Sequence, residues 1–98
     1  SGQIGLDPKT NTLTDGLKNQ TYQLFENIKI VLKAANLSIK DVTFANVLLT
    51  NMDDFKEFNA YYEELFEGHK PARAAYAVKD LPLGAQVEVM VTAWKPLT

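Results

Sequence analysis

Cysteine is absent from this 98-residue chain, which removes disulfides, thiolate nucleophiles and cysteine metal sites together. Histidine occurs once, as His69, so no histidine pair is available for zinc or iron, and no metal centre is expected. Basic charge is also scarce. Ten Lys and Arg stand against twelve Asp and Glu, for a net charge of −2, which lacks the cationic footprint that phosphate backbones demand, so nucleic acid is a poor first guess. No apolar run approaches the roughly 20 residues that span a bilayer, and no secretory leader precedes Ser1. The expectation is a soluble protein with no membrane partner, cytoplasmic by default; a mitochondrial address ahead of Ser1 would fit equally.

What is present is a single small domain over residues 1–98, 46% hydrophobic. A chain of this size buries only about 60–65% of the surface it exposes when unfolded, so its core is modest and self-association would help it. Apolar residues recur at Leu17, Thr21, Leu24, Phe25, Ile28, Val31, Leu32 and Ala35, the three-and-four spacing of a helix with one apolar stripe. Thr14 or Asp15 can cap its start, and Asn36 can end it in a left-handed turn. Before it, Leu6-Asp7-Pro8-Lys9-Thr10-Asn11-Thr12 carries turn chemistry, which predicts short strands around Ile4 and Leu13.

Residues 41–50, rich in β-branched and aromatic side chains and nearly free of charge, predict a central strand. Asn51, three residues before Asp54, resembles a capping box, and Phe55, Phe58, Tyr62, Leu65 and Phe66 share a helical face. Gly68 suits the end of this second helix and Pro71 forbids its continuation, so a strand is expected from Ala72. Val87, Val89, Val91 and Ala93 alternate with Glu88, Met90, Thr92 and Trp94 as a last strand, joined to its predecessor by the turn-like Leu81-Pro82-Leu83-Gly84. The predicted order is β-α-β-α-β-β, an α+β fold with two helices on one face of a mixed sheet.

The sole arginine, Arg73, stands in the otherwise apolar run Pro71-Ala72-Arg73-Ala74-Ala75-Tyr76. A guanidinium there points to paired hydrogen bonds with a carboxylate or phosphate, a task lysine performs poorly. Alternation puts Arg73, Ala75 and Ala77 on one face, with small neighbours leaving room beside the guanidinium. Glu88 is the only acid of the last strand. With the two strands read as a hairpin, Arg73 and Glu88 would face one pocket, the arginine holding a carboxylate and the glutamate orienting or deprotonating a water. A cross-strand ion pair is the plainer meaning of the same two residues. Asn59 could reach a ligand from the second helix, Ser1 and Gly2 could offer a hydroxyl and a close backbone approach at a pocket wall, and His69 reads as a solvated helix-end residue. The aromatic stripe of the second helix reads as core packing.

Taken together, these residues resemble the RidA family of enamine/imine deaminases, also called the YjgF/YER057c/UK114 family. Ser1-Gly2-Gln3-Ile4-Gly5-Leu6-Asp7-Pro8 is similar to its early strand. Asn51-Met52-Asp53-Asp54-Phe55 and Asn59 resemble its second-helix entry, and Pro71-Ala72-Arg73, Leu81-Pro82 and Val87-Glu88-Val89 its C-terminal pattern. The resemblance implies a chorismate-mutase-like (Bacillus type) fold, a homotrimer whose sheets form a central barrel, and active sites in the clefts between subunits. It further implies hydrolysis of 2-aminoacrylate-type enamines or imines to 2-keto acids and ammonia without a cofactor. Arg73 would bind the substrate carboxylate, Glu88 would position the attacking water, and Ser1, Gly2, Asn59 and Ala75 would line the pocket. Ala75 replaces the cysteine that the family usually carries, which excludes thiol chemistry at that position. Members normally begin with strands ahead of the Ser-Gly-Gln segment, so residues 1–98 read as a RidA-like domain lacking them. Two other readings stay open: a noncatalytic module that senses 2-keto acids or binds proteins, and the endoribonuclease or translation-inhibitor activity attributed to some members.

Overall fold

The computed structural model describes residues 2–96; Ser1, and any part it plays in a pocket wall, lies outside them. Chain order is β1 (Leu6–Asp7), β2 (Thr12–Leu13), α1 (Gly16–Ala34), β3 (Val42–Leu49), α2 (Phe55–Leu65), β4 (Ala72–Ala77) and β5 (Val87–Ala93). The turn-rich opening segment forms a two-stranded ribbon, β1 against β2. Asn27 on α1 ties it down by donating its side-chain amide to the carbonyls of Ile4 and Leu6, at 3.3 and 2.9 Å.

α1 forms where the apolar stripe predicts it, burying Leu17, Thr21, Leu24, Phe25, Ile28 and Leu32. Asp15 occupies the N-cap with extended backbone but makes no side-chain cap bond; the Thr14 hydroxyl instead donates to Gly5 O at 2.9 Å. At the other end Asn36 adopts φ 61°. Leu37 N–H then reaches Leu32 O at 2.8 Å and Asn36 N–H reaches Lys33 O at 3.0 Å, the paired closure of a Schellman turn. A 3-10 turn over Met52–Asp54, capped by the Asn51 side chain accepting from Asp53 N–H, leads into α2. Glu67 and Gly68 end that helix at φ 54° and 90°, and Pro71 is followed at once by β4, as its missing N–H requires.

The main sheet has the order β4-β3-β5. β4 lies parallel to β3, with Ala45 opposite Arg73 and Leu48 opposite Tyr76. β5 lies antiparallel on the other side, with Ala45 opposite Val91 and Leu48 opposite Glu88. Beyond β5, Gln3 pairs with Val89 through two backbone hydrogen bonds of 2.9 and 3.0 Å. The expected hairpin between the last two strands is thus corrected. β3 runs between them, because β3-α2-β4 is a crossover unit whose strands pair in parallel.

Both helices cover the face bearing Ala45, Val47, Leu49, Val87 and Val89, all at most 1% exposed. Phe58 and Phe66 of the α2 segment and Phe25 of α1 are equally enclosed, and Phe25 meets Phe66 edge-on at 5.4 Å. Each such side chain contributes about 1.5–3 kcal/mol by leaving water. The opposite face carries Phe44, Leu48, Tyr76, Glu88 and Met90 and stays half-exposed, Tyr76 at 47%. No helix among the described residues is long and apolar enough to cross a membrane.

Candidate active site

α2 presents Phe55, Asn59 and Tyr62 at i, i+4 and i+7, one stripe of a helix, and the crossover brings Arg73 on β4 against it. The guanidinium carbon lies 4.7 Å from the Tyr62 ring centre and 5.2 Å from that of Phe55. Between the two rings, Asn59 Oδ1 accepts a hydrogen bond from Arg73 Nη1. Electron-rich ring faces and a carbonyl dipole thus hold the cation. One of its five N–H donors is engaged by Asn59, leaving the others for an anion.

This arrangement borders a cleft of about 490 Å³ lined by Asn59, Tyr62, Glu63, Gly68, His69, Lys70, Pro71 and Arg73, with the Glu63 carboxylate held by the Asn59 amide at 3.2 Å. His69 is not the solvated end residue expected from sequence. It is half-buried, and its Nε2 lies 2.7 Å from Val42 O, an acceptor-only partner that requires the proton on Nε2. The turn after α2 is thereby fastened to the start of β3. Tyr62 is 94% buried, and its hydroxyl has no hydrogen-bond partner among the described residues. Burial pushes its pKa up, opposed by the neighbouring Arg73 charge. On the outer side of α2 the Tyr61 hydroxyl donates to Glu57 Oε2 at 2.6 Å, a bond that pushes its pKa up to about 12.

Glu88 belongs to the other side of the sheet. Opposed residues share a face, and Ala45, opposite Arg73, is three residues from Leu48, opposite Glu88; an odd separation on an unbulged stretch reverses the face. Within one chain, therefore, Arg73 and Glu88 do not open onto one pocket, nor can they form the cross-strand ion pair. Ala75 shares the Arg73 face but packs against the core. Glu88 keeps company with Gly2. A β-carbon at Gly2 would fall 1.9 Å from Glu88 Oε2 and 2.8 Å from its Cδ, so the missing side chain is the space the carboxylate occupies.

Asn59 and Arg73 are thus brought together, as are Gly2 and Glu88, and the sheet separates the two pairs. Phe55 and Tyr62 were missed as site residues because an aromatic stripe fits core packing equally well. Their spacing around Asn59 was the available signal, given a crossover that returns the next strand to the same helix.

Glu88 is reached through the flexible end of its side chain, so Gly2→Ala should cost little stability while moving that carboxylate. We expect a melting temperature within a few degrees of the parent together with a displaced Glu88 carboxyl signal in a carbon-detected spectrum; an unmoved signal would show that the added methyl group is accommodated elsewhere.

The family profile described as endoribonuclease L-PSP matches residues 1–95. The chain belongs to that family, the RidA/YjgF proteins. This RidA-family chain is similar to the 2-iminobutanoate/2-iminopropanoate deaminase of Mus musculus, at 42% identity over 94 residues that cover 95% of this chain and 70% of the mouse protein. Among solved structures it is similar to the YjgF gene product of E. coli, at 32% identity and TM-score 0.92, covering 98% of this chain and 78% of that one. E. coli TdcF with bound serine is similar at 30% identity and TM-score 0.93, with the same 98% and 78% coverage. The fold is accordingly the chorismate-mutase-like α+β arrangement of the RidA proteins, and the family relationship supports imine deamination as its general chemistry.

Proposed function

We propose that this chain hydrolyses small enamines and imines of the 2-aminoacrylate type to 2-keto acids and ammonia, in sites assembled between the subunits of a homotrimer. The observation that carries the reading is Arg73, the only arginine, held by Asn59 and two rings at the mouth of the cleft with donors left for a carboxylate. The mouse relative's name supplies the substrate class, and a serine-bound relative is in keeping with an amino-acid-like ligand.

In this reaction the Arg73 guanidinium takes the substrate carboxylate in two parallel hydrogen bonds. An enamine first tautomerises to the imine. Glu88 accepts a proton from a water as its oxygen bonds to the C=N carbon. The C=N π pair moves to nitrogen, which takes the proton now on Glu88 to give a carbinolamine; Glu88 then relays the hydroxyl proton to nitrogen, ammonia leaves with the C–N pair, and the oxygen lone pair closes the carbonyl. The imine is itself the electrophile, so positioning supplies most of what the step needs.

The opposed faces within one chain favour an arrangement in which one subunit contributes Arg73 and Asn59 and its neighbour contributes Gly2 and Glu88. The half-exposed face carrying Phe44, Leu48, Tyr76 and Met90 offers apolar surface for such symmetric packing. Enamine released by a dehydratase from serine or threonine, with keto-acid formation followed, tests the activity; no acceleration, or full activity in Arg73→Ala, would refute it. Mixing supplies the second test. Arg73→Ala and Glu88→Gln proteins, each inactive, should on unfolding and reassembly together regain about a quarter of parental activity. In a symmetric ring, half the arginine donors and half the glutamate donors are intact, and a site needs both. No recovery beside an active parent would place each site inside one chain, and a parent that binds pyruvate without accelerating hydrolysis would be a binder of 2-keto acids without turnover. The latter reading draws on the same opposed faces, since a lone chain can grip a carboxylate at Arg73 but keeps Glu88 on the other side of the sheet. RNA cleavage is disfavoured by the net charge of −2.

A further inference from the structure

The aromatic stripe of α2 does more than fill the core. Tyr62 is locked by its own neighbours: Phe25 at 6.0 Å and 80°, Phe58 at 5.7 Å, and Phe66 at 4.7 Å between ring centres. With 6% of its surface exposed, the ring has no freedom to follow a moving partner. Arg73 is exposed and carries its guanidinium on a long flexible stem, so on an open strand it would sample many rotamers. The rigid member of the pair therefore sets the position of the mobile one. Phe55, half-buried two stripe positions away, adds a second ring at 5.2 Å, and Asn59 takes one N–H between them. Three contacts from three successive stripe positions fix both where the guanidinium sits and how it is turned.

We infer that Tyr62 is a positioning residue: its ring, with that of Phe55, presents the donors of Arg73 not engaged by Asn59 to the incoming carboxylate. The inference rests on the deaminase reading for its substrate, but not for its geometry. Tyr62 acts through Arg73. Its hydroxyl is buried and pairs with nothing among the described residues; the ring face is what meets the guanidinium.

Two readouts separate this from a packing role. The first is the split between KM and kcat with enamine generated from serine. Tyr62→Leu removes the ring and should raise KM about 5–10-fold, the scale of one partly desolvated cation–π contact, with kcat changed by less than about threefold; Tyr62→Phe, which keeps the ring, should restore KM. The second is spectroscopic and needs no turnover. The chain has one arginine, so a proton–nitrogen spectrum contains a single guanidinium Nε–H signal. In the parent and in Tyr62→Phe that signal should be shifted by the ring and exchange slowly, and in Tyr62→Leu it should move to the position of a free arginine. An unmoved signal in Tyr62→Leu, or kcat and KM falling together with the melting temperature, would overturn the inference in favour of packing. Equal losses in Tyr62→Phe and Tyr62→Leu would overturn it in favour of a hydroxyl that touches substrate. Should Tyr62→Leu not fold, Phe55→Leu tests the same cradle from a half-buried position and must shift the arginine signal in the same direction. A parent protein that turns over no imine would sink the deaminase reading alone, because the arginine signal still decides the geometry.

Discussion

Glu88→Gln should lower kcat by about 10²–10⁴-fold, the range that a positioned general base contributes, while 2-keto acid binding stays near the parental value. Glutamine preserves shape and hydrogen bonding but cannot take a proton from water. Glu88 is half-buried beside Gly2 and Met90, and the neutral amide fits the same space, so stability should hold. Steady-state kinetics with serine-derived enamine, beside calorimetry with pyruvate, measures both quantities. Equal loss of pyruvate affinity would mean that Glu88 shapes the pocket rather than delivering solvent. Undiminished kcat would remove it from the reaction.

Arg73→Lys should reduce kcat/KM by about 10–150-fold, corresponding to one lost charge-assisted hydrogen bond of about 1.5–3 kcal/mol. An ammonium keeps the charge but not the flat two-pronged contact, and it cannot lie along Tyr62 and Phe55 while also reaching Asn59. The loss should fall mainly on KM, and pyruvate affinity should drop in parallel. Retention of parental kcat/KM by the lysine variant would show that charge alone suffices and that the two-pronged contact is not used.

The sequence was most legible where a local pattern has one physical solution. The apolar stripe of α1 returned the helix almost residue for residue, and Asn36 ended it with the positive φ that short polar side chains tolerate. Pro71 likewise marked the boundary before β4. Strand order was the failure. Alternation tells which residues of one strand share a face, but it carries no information about which strand lies alongside. The connection over residues 78–86 is longer than the roughly 2–5 residues of a tight hairpin, and a helix between β3 and β4 calls for a parallel pair. Both facts argued for β3 as the middle strand. Without them, β4 and β5 read as direct neighbours, and Arg73 and Glu88 fall in one pocket of one chain. Arg73 and Glu88 stand out in the sequence because each is chemically anomalous in its setting, a lone guanidinium and a lone carboxylate among apolar strand neighbours; the space that Gly2 leaves for the Glu88 carboxylate does not, because it exists only once the chain is folded. The Tyr62 and Phe55 contacts do not either, since a ring that packs and a ring that orients have the same sequence pattern.

β3 holds Arg73 from one flank through Ala45 and Glu88 from the other through Leu48. The frame of the chemistry is consequently written in main-chain ladders, which change little when side chains are exchanged. The rim of the cleft is made of different stuff, the irregular stretch from Glu67 to Pro71 that carries two left-handed residues and no ladder. Such stretches accept substitution readily. A change of residue along that rim can therefore reshape the mouth of the cleft while the backbone positions of Arg73 and Glu88 stay where the ladders put them, a rigid chassis behind an adjustable opening.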